Sequence, residues 1–280
     1  MKQATKGHQA INNIQVYYEF YPKQSAPTIV LLHGFLSSTF TFRHLIPLLS
    51  QDYQVLSVDI PPFGKSEKST RFIYSYQNIA NTIIQLIEHL ELKDLIFIGH
   101  SMGGQIVLNI LHYIPKIAKK AILISSSSYL KRASKPLIFL SYIPFFYLFV
   151  KYWLARTGVK KNLEITLHNH DLINDEMING YEEPFLRNDI FAALCRLIRH
   201  REGDLPVEVL NGIQTPCLLI WGEHDKAVPL HIGERLNNDL VHSQLVIFNE
   251  TGHAIPEERP RELYQHIKNF LADQRPLQSL

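Results

Sequence analysis

The amino-acid sequence predicts an α/β fold: a mostly parallel central sheet flanked by helices, with a helical segment inserted late in the chain. Three observations carry this expectation. Short unbroken apolar runs alternate with stretches of helical apolar spacing, the pattern of parallel strands covered on both faces. The alternation lapses after Ser125-Ser-Ser-Ser128, leaves helical spacing alone to about Pro206, and then resumes. Residues 95–110 read as a buried strand, a very tight turn and an amphipathic helix. With 280 residues, 46% of them hydrophobic, the chain can bury a sizeable core. The expected division is a first core segment, 1–126, an insertion, 127–206, and a second core segment, 207–280.

Taken in order, residues 7–20 hold two alternating runs around Asn12-Asn13. Asn tolerates left-handed turn conformations, so they predict a hairpin. Residues 28–32 form a continuous apolar strand ending at His33-Gly34-Phe35, with a helix expected over about 40–49. Strands follow at 53–58, 95–98, 120–124, 216–221 and 244–248. Helices are expected at 76–90, from Met102, and at 256–271, where Pro256 is tolerated in a first turn.

Composition excludes several roles. Lys and Arg number 28 against 26 Asp and Glu, with no basic block or aromatic-interleaved basic stripe, so a nucleic-acid partner is not expected. Cys195 and Cys217 form no C-x-x-C pair, which fits reduced thiols and a cytoplasmic location. Behind its first charges the N-terminus has no apolar segment of the signal-peptide kind. There is no G-x-G-x-x-G motif and no P-loop, so no nucleotide is implied.

The turn inside 95–110 is Gly99-His100-Ser101-Met102-Gly103, a G-x-S-x-G pattern. Such a turn pushes one serine out of the top of a parallel sheet in a strained conformation, and the glycines avoid collisions that a Cβ would make. Two further clusters follow strands: Trp221-Gly-Glu-His-Asp225 and Thr251-Gly-His253. Ser, acid and His occur in that chain order. A serine hydroxyl is too weak an acid to attack alone; His253 would take its proton, and Asp225 would hold the imidazole. Glu223, two residues from Asp225, is the alternative acid. His100 reads as structural or pocket-lining.

With these residues in view, the chain resembles the α/β-hydrolase fold superfamily from about Gly7 to Leu271, closest in style to bacterial esterases, lipases and C–C hydrolases. The resemblance implies a nucleophile elbow at Ser101. Its W-G-x-x-D motif favours Asp225 over Glu223. It also implies an oxyanion hole of the Phe35 and Met102 backbone N–H groups, although Phe35-Leu36-Ser37 stands where other members have more glycines. Asp59-Ile-Pro-Pro-Phe-Gly-Lys-Ser66 is similar to the family's D-x-x-G-x-G-x-S loop, with a structural role expected.

In the insertion, residues 136–153 are nearly apolar all round. Two readings stay open: a helix buried on the main domain, or an apolar lid lining a substrate pocket with Phe145, Phe146, Phe149 and Trp153, alongside Phe35 and His100. The run falls short of the roughly 20 residues of a transmembrane span and Pro144 interrupts it, which leaves peripheral membrane contact through the cap. His168-Asn-His170-Asp171 resembles a zinc-site fragment without further ligands, so no metal is expected.

The expected activity is that of a cofactor-free serine hydrolase acting on a neutral apolar ester or lipid-like acyl compound. C–C bond hydrolysis and perhydrolysis are the alternatives in the same fold. An aspartate at position 101 would have indicated a dehalogenase or epoxide hydrolase. The alternative of another class is a ligand-sensing receptor that keeps the triad and acts on a protein partner.

Overall fold

Strand pairing in the computed structural model, which describes residues 4–273, puts all eight strands into one sheet in the order β1-β2-β4-β3-β5-β6-β7-β8. β1 (Thr5–Ile11) and β2 (Ile14–Tyr21) form the expected hairpin, with Asn12 and Asn13 both at positive φ in the two-residue turn. β2 joins β4 (Gln54–Val58) antiparallel. From there β3 (Thr28–Leu32), β5 (Leu95–His100), β6 (Ala118–Ile124), β7 (Cys217–Gly222) and β8 (Ser243–Phe248) run parallel. Parallel strands need crossovers, and the chain supplies them in α1 (Ile46–Leu49), α2 (Tyr76–His89) and α3 (Met102–Tyr113).

Alternation along the strands sends side chains to two cores. Val30, Leu32, Leu56 and Phe97 face the side covered by α2 and α3, whereas Ile29, Leu31, Val55 and Ile98 face the other. Helix α2 shows how a sequence earns its place. Ser75 accepts a hydrogen bond from the Asn78 N–H as N-cap, and Ile79, Ile83, Leu86 and Ile87 form its buried stripe. Each such residue fully buried stabilises by about 1.5–3 kcal/mol.

Between β6 and β7 the described elements are helical: α4 (Lys135–Leu140), α5 (Phe146–Thr157), α6 (Val159–Thr166), α7 (Asp175–Glu182), α8 (Asp189–His200) and α9 (Val207–Leu210), with two short 3₁₀ turns. After β7 come α10 (Leu230–Asp239), α11 (Ile255–Glu258) and α12 (Pro260–Ala272).

Three differences from the sequence reading have physical causes. The helix expected over 40–49 is a 3₁₀ turn, Thr39–Phe42, followed by α1, because Pro47 cannot donate to the carbonyl a turn earlier. The helix expected from Pro256 breaks at Arg259, the residue before Pro260 and disfavoured there from helical geometry. Helix α10 was not anticipated: LHIGERLNND is polar, and only Gly233 and Leu236 are buried.

The stretch 136–153 also departs from expectation. It is two helices, α4 and α5, separated by a turn around Pro144, and neither helix has a buried side chain among those described. α5 turns Tyr147, Val150 and Leu154 toward the core and leaves Phe145, Phe149 and Trp153 exposed. It is not a helix buried on the main domain.

Candidate active site

Ser101 stands between β5 and α3 at φ 53° and ψ −119°. A non-glycine residue there is strained and persists only where its surroundings over-determine it. Here they do. The Ser101 N–H donates to Ile124 O at 2.9 Å, and its carbonyl accepts from the Gly104 and Ser127 amides at 2.9 and 3.0 Å. The glycines make the turn possible: a Cβ at Gly103 would lie 2.1 Å from Leu32 O, and one at Gly99 2.5 Å from Gly103 O. The Ser101 hydroxyl caps nothing in α3 and so is left out of the helix's own bonding.

The acid and the imidazole come together as the spacing suggested. His253 Nδ1 lies 2.8 Å from Asp225 Oδ2, and the other carboxylate oxygen accepts from the Ala227 and Val228 amides at 2.9 and 2.8 Å. Burial works to raise the Asp225 pKa, but the His253 hydrogen bond and the Val228 amide outweigh it and hold the group below its ordinary value. Glu223 makes no such contact; its side chain is exposed and accepts from the Glu250 amide at 3.3 Å.

His100 joins the elbow to this pair. Its Nε2 donates to the His253 carbonyl at 3.0 Å, and the two rings lie 4.8 Å apart. Burial pushes its pKa down to about 3, so the ring is neutral. The His33-Gly34-Phe35 loop closes on the same point: a Cβ at Gly34 would sit 3.1 Å from Ser101 Cβ. His33 fixes that loop by accepting from the Ile60 amide at 2.9 Å and donating to Gly34 O at 2.7 Å, its pKa pushed down to about 4 by burial. The Phe35 amide has no acceptor among the described residues, and Met102 opens α3, where a first-turn amide has none within its helix. Both amides are therefore without a backbone acceptor among the described residues, on the loop and the helix that flank Ser101.

Asp59 has a structural role. It accepts from the Thr39 and Lys65 amides at 2.6 and 2.7 Å, and burial raises its pKa to about 6 against those bonds. Sequence reasoning missed two residues that hold the His253 loop. Thr166 O, at the end of α6, accepts from the His253 and Ala254 amides at 2.7 and 3.1 Å. The Glu258 carboxylate accepts from Gly252, His168 and Asn169 amides at 2.8, 2.9 and 2.9 Å. Backbone partners of this kind leave no motif.

The insertion's aromatics are largely open to solvent. Phe145, Phe149 and Trp153 are more than half exposed, and Phe146 packs its ring 5.6 Å from Phe149. Side chains forming the wall of a closed pocket would be less exposed than this. His168 stacks on His224 at 4.4 Å and His170 bonds Glu164 O; no group of three or more metal-ligating side chains occurs among the described residues. A cleft of about 1170 Å³ lies elsewhere, along Lys6, His8, Glu19, Ser38, Arg43 and Arg187. Its lining includes none of Ser101, Asp225 and His253, so the site is located by its hydrogen-bond geometry instead of by the size of a hollow.

Comparison with known proteins bears on the fold and the family. The model of a family described as alpha/beta hydrolase fold matches residues 27–260. An uncharacterized hydrolase of Bacillus subtilis, YugF, is 49% identical over 261 residues, which cover 93% of this chain and 96% of that protein. An esterase from Exiguobacterium antarcticum shares the fold with a TM-score of 0.80 at 20% identity, over 96% of this chain and 100% of that one. A meta-cleavage product hydrolase from Pseudomonas fluorescens gives 0.78 at 19% identity, over 95% and 97%.

Proposed function

Because the chain belongs to the alpha/beta hydrolase fold family, we propose that it is a cofactor-free serine hydrolase that cleaves a neutral apolar carboxylic ester through an acyl-enzyme. In this reading Ser101 Oγ attacks the acyl carbon and His253 takes the hydroxyl proton. Asp225 keeps Nδ1 protonated and stabilises the imidazolium that forms. The carbonyl oxygen gathers negative charge between the Phe35 and Met102 amides. The alkoxide leaves with the proton from His253. A water, deprotonated by the same imidazole, then releases the acid and frees Ser101.

The observation that carries the reading is the strained Ser101 turn meeting, through His100, the carboxylate-paired His253. The preference for neutral acyl groups rests on the surroundings: neutral His100, Met102, and Phe35, whose half-exposed ring leans edge-on against Phe63 at 5.4 Å. A fully buried methylene is worth about 0.8 kcal/mol, so kcat/KM is expected to rise roughly fourfold per added carbon until the pocket is filled.

The test is labelling with a fluorophosphonate, adduct mapping by mass spectrometry, and an ester chain-length panel. An adduct on Ser101 and turnover of uncharged esters are expected. An adduct elsewhere would remove the nucleophile assignment. A turnover far below about 1 s⁻¹ on every ester, together with a ligand-dependent protein partner, would favour a receptor instead.

A further inference from the structure

The hairpin of α4 and α5 carries an exposed apolar surface. Ten of the nineteen exposed large apolar side chains among the described residues fall within residues 137–153. Phe139, Tyr142, Phe145, Phe149, Tyr152 and Trp153 are each 59–71% exposed. Exposed apolar residues scattered singly are ordinary, but a concentration on one hairpin marks a surface that meets something. Phe145 sharpens the point. It sits at φ 67° at the start of α5, a costly conformation for a bulky residue, and its ring projects outward at the turn.

Charge identifies the occupant. Residues 129–163 contain Lys131, Arg132, Lys135, Lys151, Arg156, Lys160 and Lys161 and no Asp or Glu. The rest of the chain runs the other way, with 21 basic residues (28 less these seven) against 26 acidic. A second copy of the same hairpin would oppose positive charge to positive charge. No helix among the described residues is long and apolar enough to cross a membrane. Amphipathic aromatics, aliphatic neighbours and a cationic surround are what a headgroup layer accommodates: the rings enter the acyl boundary and the cations meet phosphates.

We propose that the α4–α5 hairpin docks this protein on the surface of an anionic lipid bilayer. The docking does not require the chemistry at Ser101, so Ser101→Ala binds vesicles as the wild type does.

The experiment is flotation of the full chain with phosphatidylglycerol–phosphatidylcholine vesicles and with phosphatidylcholine alone, at low and high salt. Tryptophan emission is followed in parallel. Trp221 is fully buried, its Nε1 bonded to Val228 O at 2.8 Å, so a blue shift on vesicle addition reports Trp153. Binding to anionic vesicles that weakens with salt, and a blue shift lost in Trp153→Phe, are expected. The double variant F139E/Y152E should bind at least about tenfold more weakly, and K131E/K135E weaker by a similar factor. All four side chains are exposed, so both variants should keep the wild-type circular dichroism spectrum and melting temperature within a few degrees.

No flotation with anionic vesicles overturns the proposal. So does equal binding to phosphatidylcholine alone, or binding that survives both folded variants. A dimer in light scattering that F139E/Y152E disperses, with no vesicle binding, would assign the surface to self-association.

Discussion

The helical insertion has two ends built on different physics. Its α6–α7 end is polar in sequence yet tied to the core. Thr166 O takes the His253 amide, Glu258 gathers three backbone N–H groups, and Tyr181 donates to buried Glu257 at 2.8 Å, where Arg43 also binds. The α4–α5 end is the more apolar and the less covered. Apolar content states what a segment gains by being covered. It does not state whether the fold supplies a cover. The inner end is held because specific acceptors meet specific amides, which is why order follows partners here instead of hydropathy.

The sharpest break between the regions is chemical. Ser101→Ala is expected to lower esterase activity by at least about 10³-fold while the melting temperature moves by only a few degrees, since the hydroxyl holds no helix cap. Steady-state kinetics beside a thermal melt checks both halves. Next comes the acid. Asp225→Asn should reduce kcat by about 10²–10⁴-fold through loss of the tautomer lock, whereas Glu223→Gln should stay within about twofold, because its side chain lies outside the pairing with His253. Equal losses in the two variants would mean that the acid has been misassigned.

Glycines carry the comparison into stability. Gly103→Ala forces a Cβ to 2.1 Å from Leu32 O and should cost more than about 3 kcal/mol in denaturant unfolding. Gly158→Ala, between α5 and α6, meets nothing within 4 Å and carries only the strain of φ 66°, about 1–2 kcal/mol.

A further expected effect is on acid sensitivity. His33 and His100 have folded pKa values of about 4 and 3, below the ordinary 6.5. Their contribution is fully present above pH 6.5 and is lost as pH falls toward those values, because the unfolded chain binds the protons first. Asp59, raised from 3.8 to about 6, has the opposite sign and stabilises progressively as pH falls through that window. Stability should therefore decline from pH 6.5 to 4, and decline more steeply in Asp59→Asn. Tyr152→Ala, on the outer hairpin, should leave the slope unchanged. Denaturant midpoints at several pH values measure it.

Much of the sheet was legible because central parallel strands must be apolar on both faces: 28–32 is β3 to the residue, and 53–58 differs from β4 by one. Ser101, Asp225 and His253 stand out as motifs because each follows a strand and glycines mark the tight approaches; the structure pairs Asp225 with His253 and sets Ser101 in the strained turn. What was not legible depends on distant chain. Thr166 and Glu258 act through the amides of residues far from them in sequence, and nothing local to either shows it. Residues 136–153 read as a buried helix or a pocket wall because sequence periodicity describes a helix's own faces and is silent on what lies opposite. Helix α10 escaped notice because it offers the core a glycine against the Trp221 ring, where a run of large apolar residues would have been visible.

The bond from the His253 amide to Thr166 O has one more consequence. An element that anchors the imidazole's own backbone is not a detachable module. Swinging the whole insertion away as a rigid flap would pull on His253 and undo the alignment it was meant to uncover. Gly158, at φ 66°, marks the boundary between α4–α5 and the part of the insertion that begins with α6 and holds the His253 backbone. Transplanting this insertion onto a relative, or trimming it, has to respect that seam: cuts after residue 158 are expected to disturb the His253 backbone, and cuts before it to leave that bond in place.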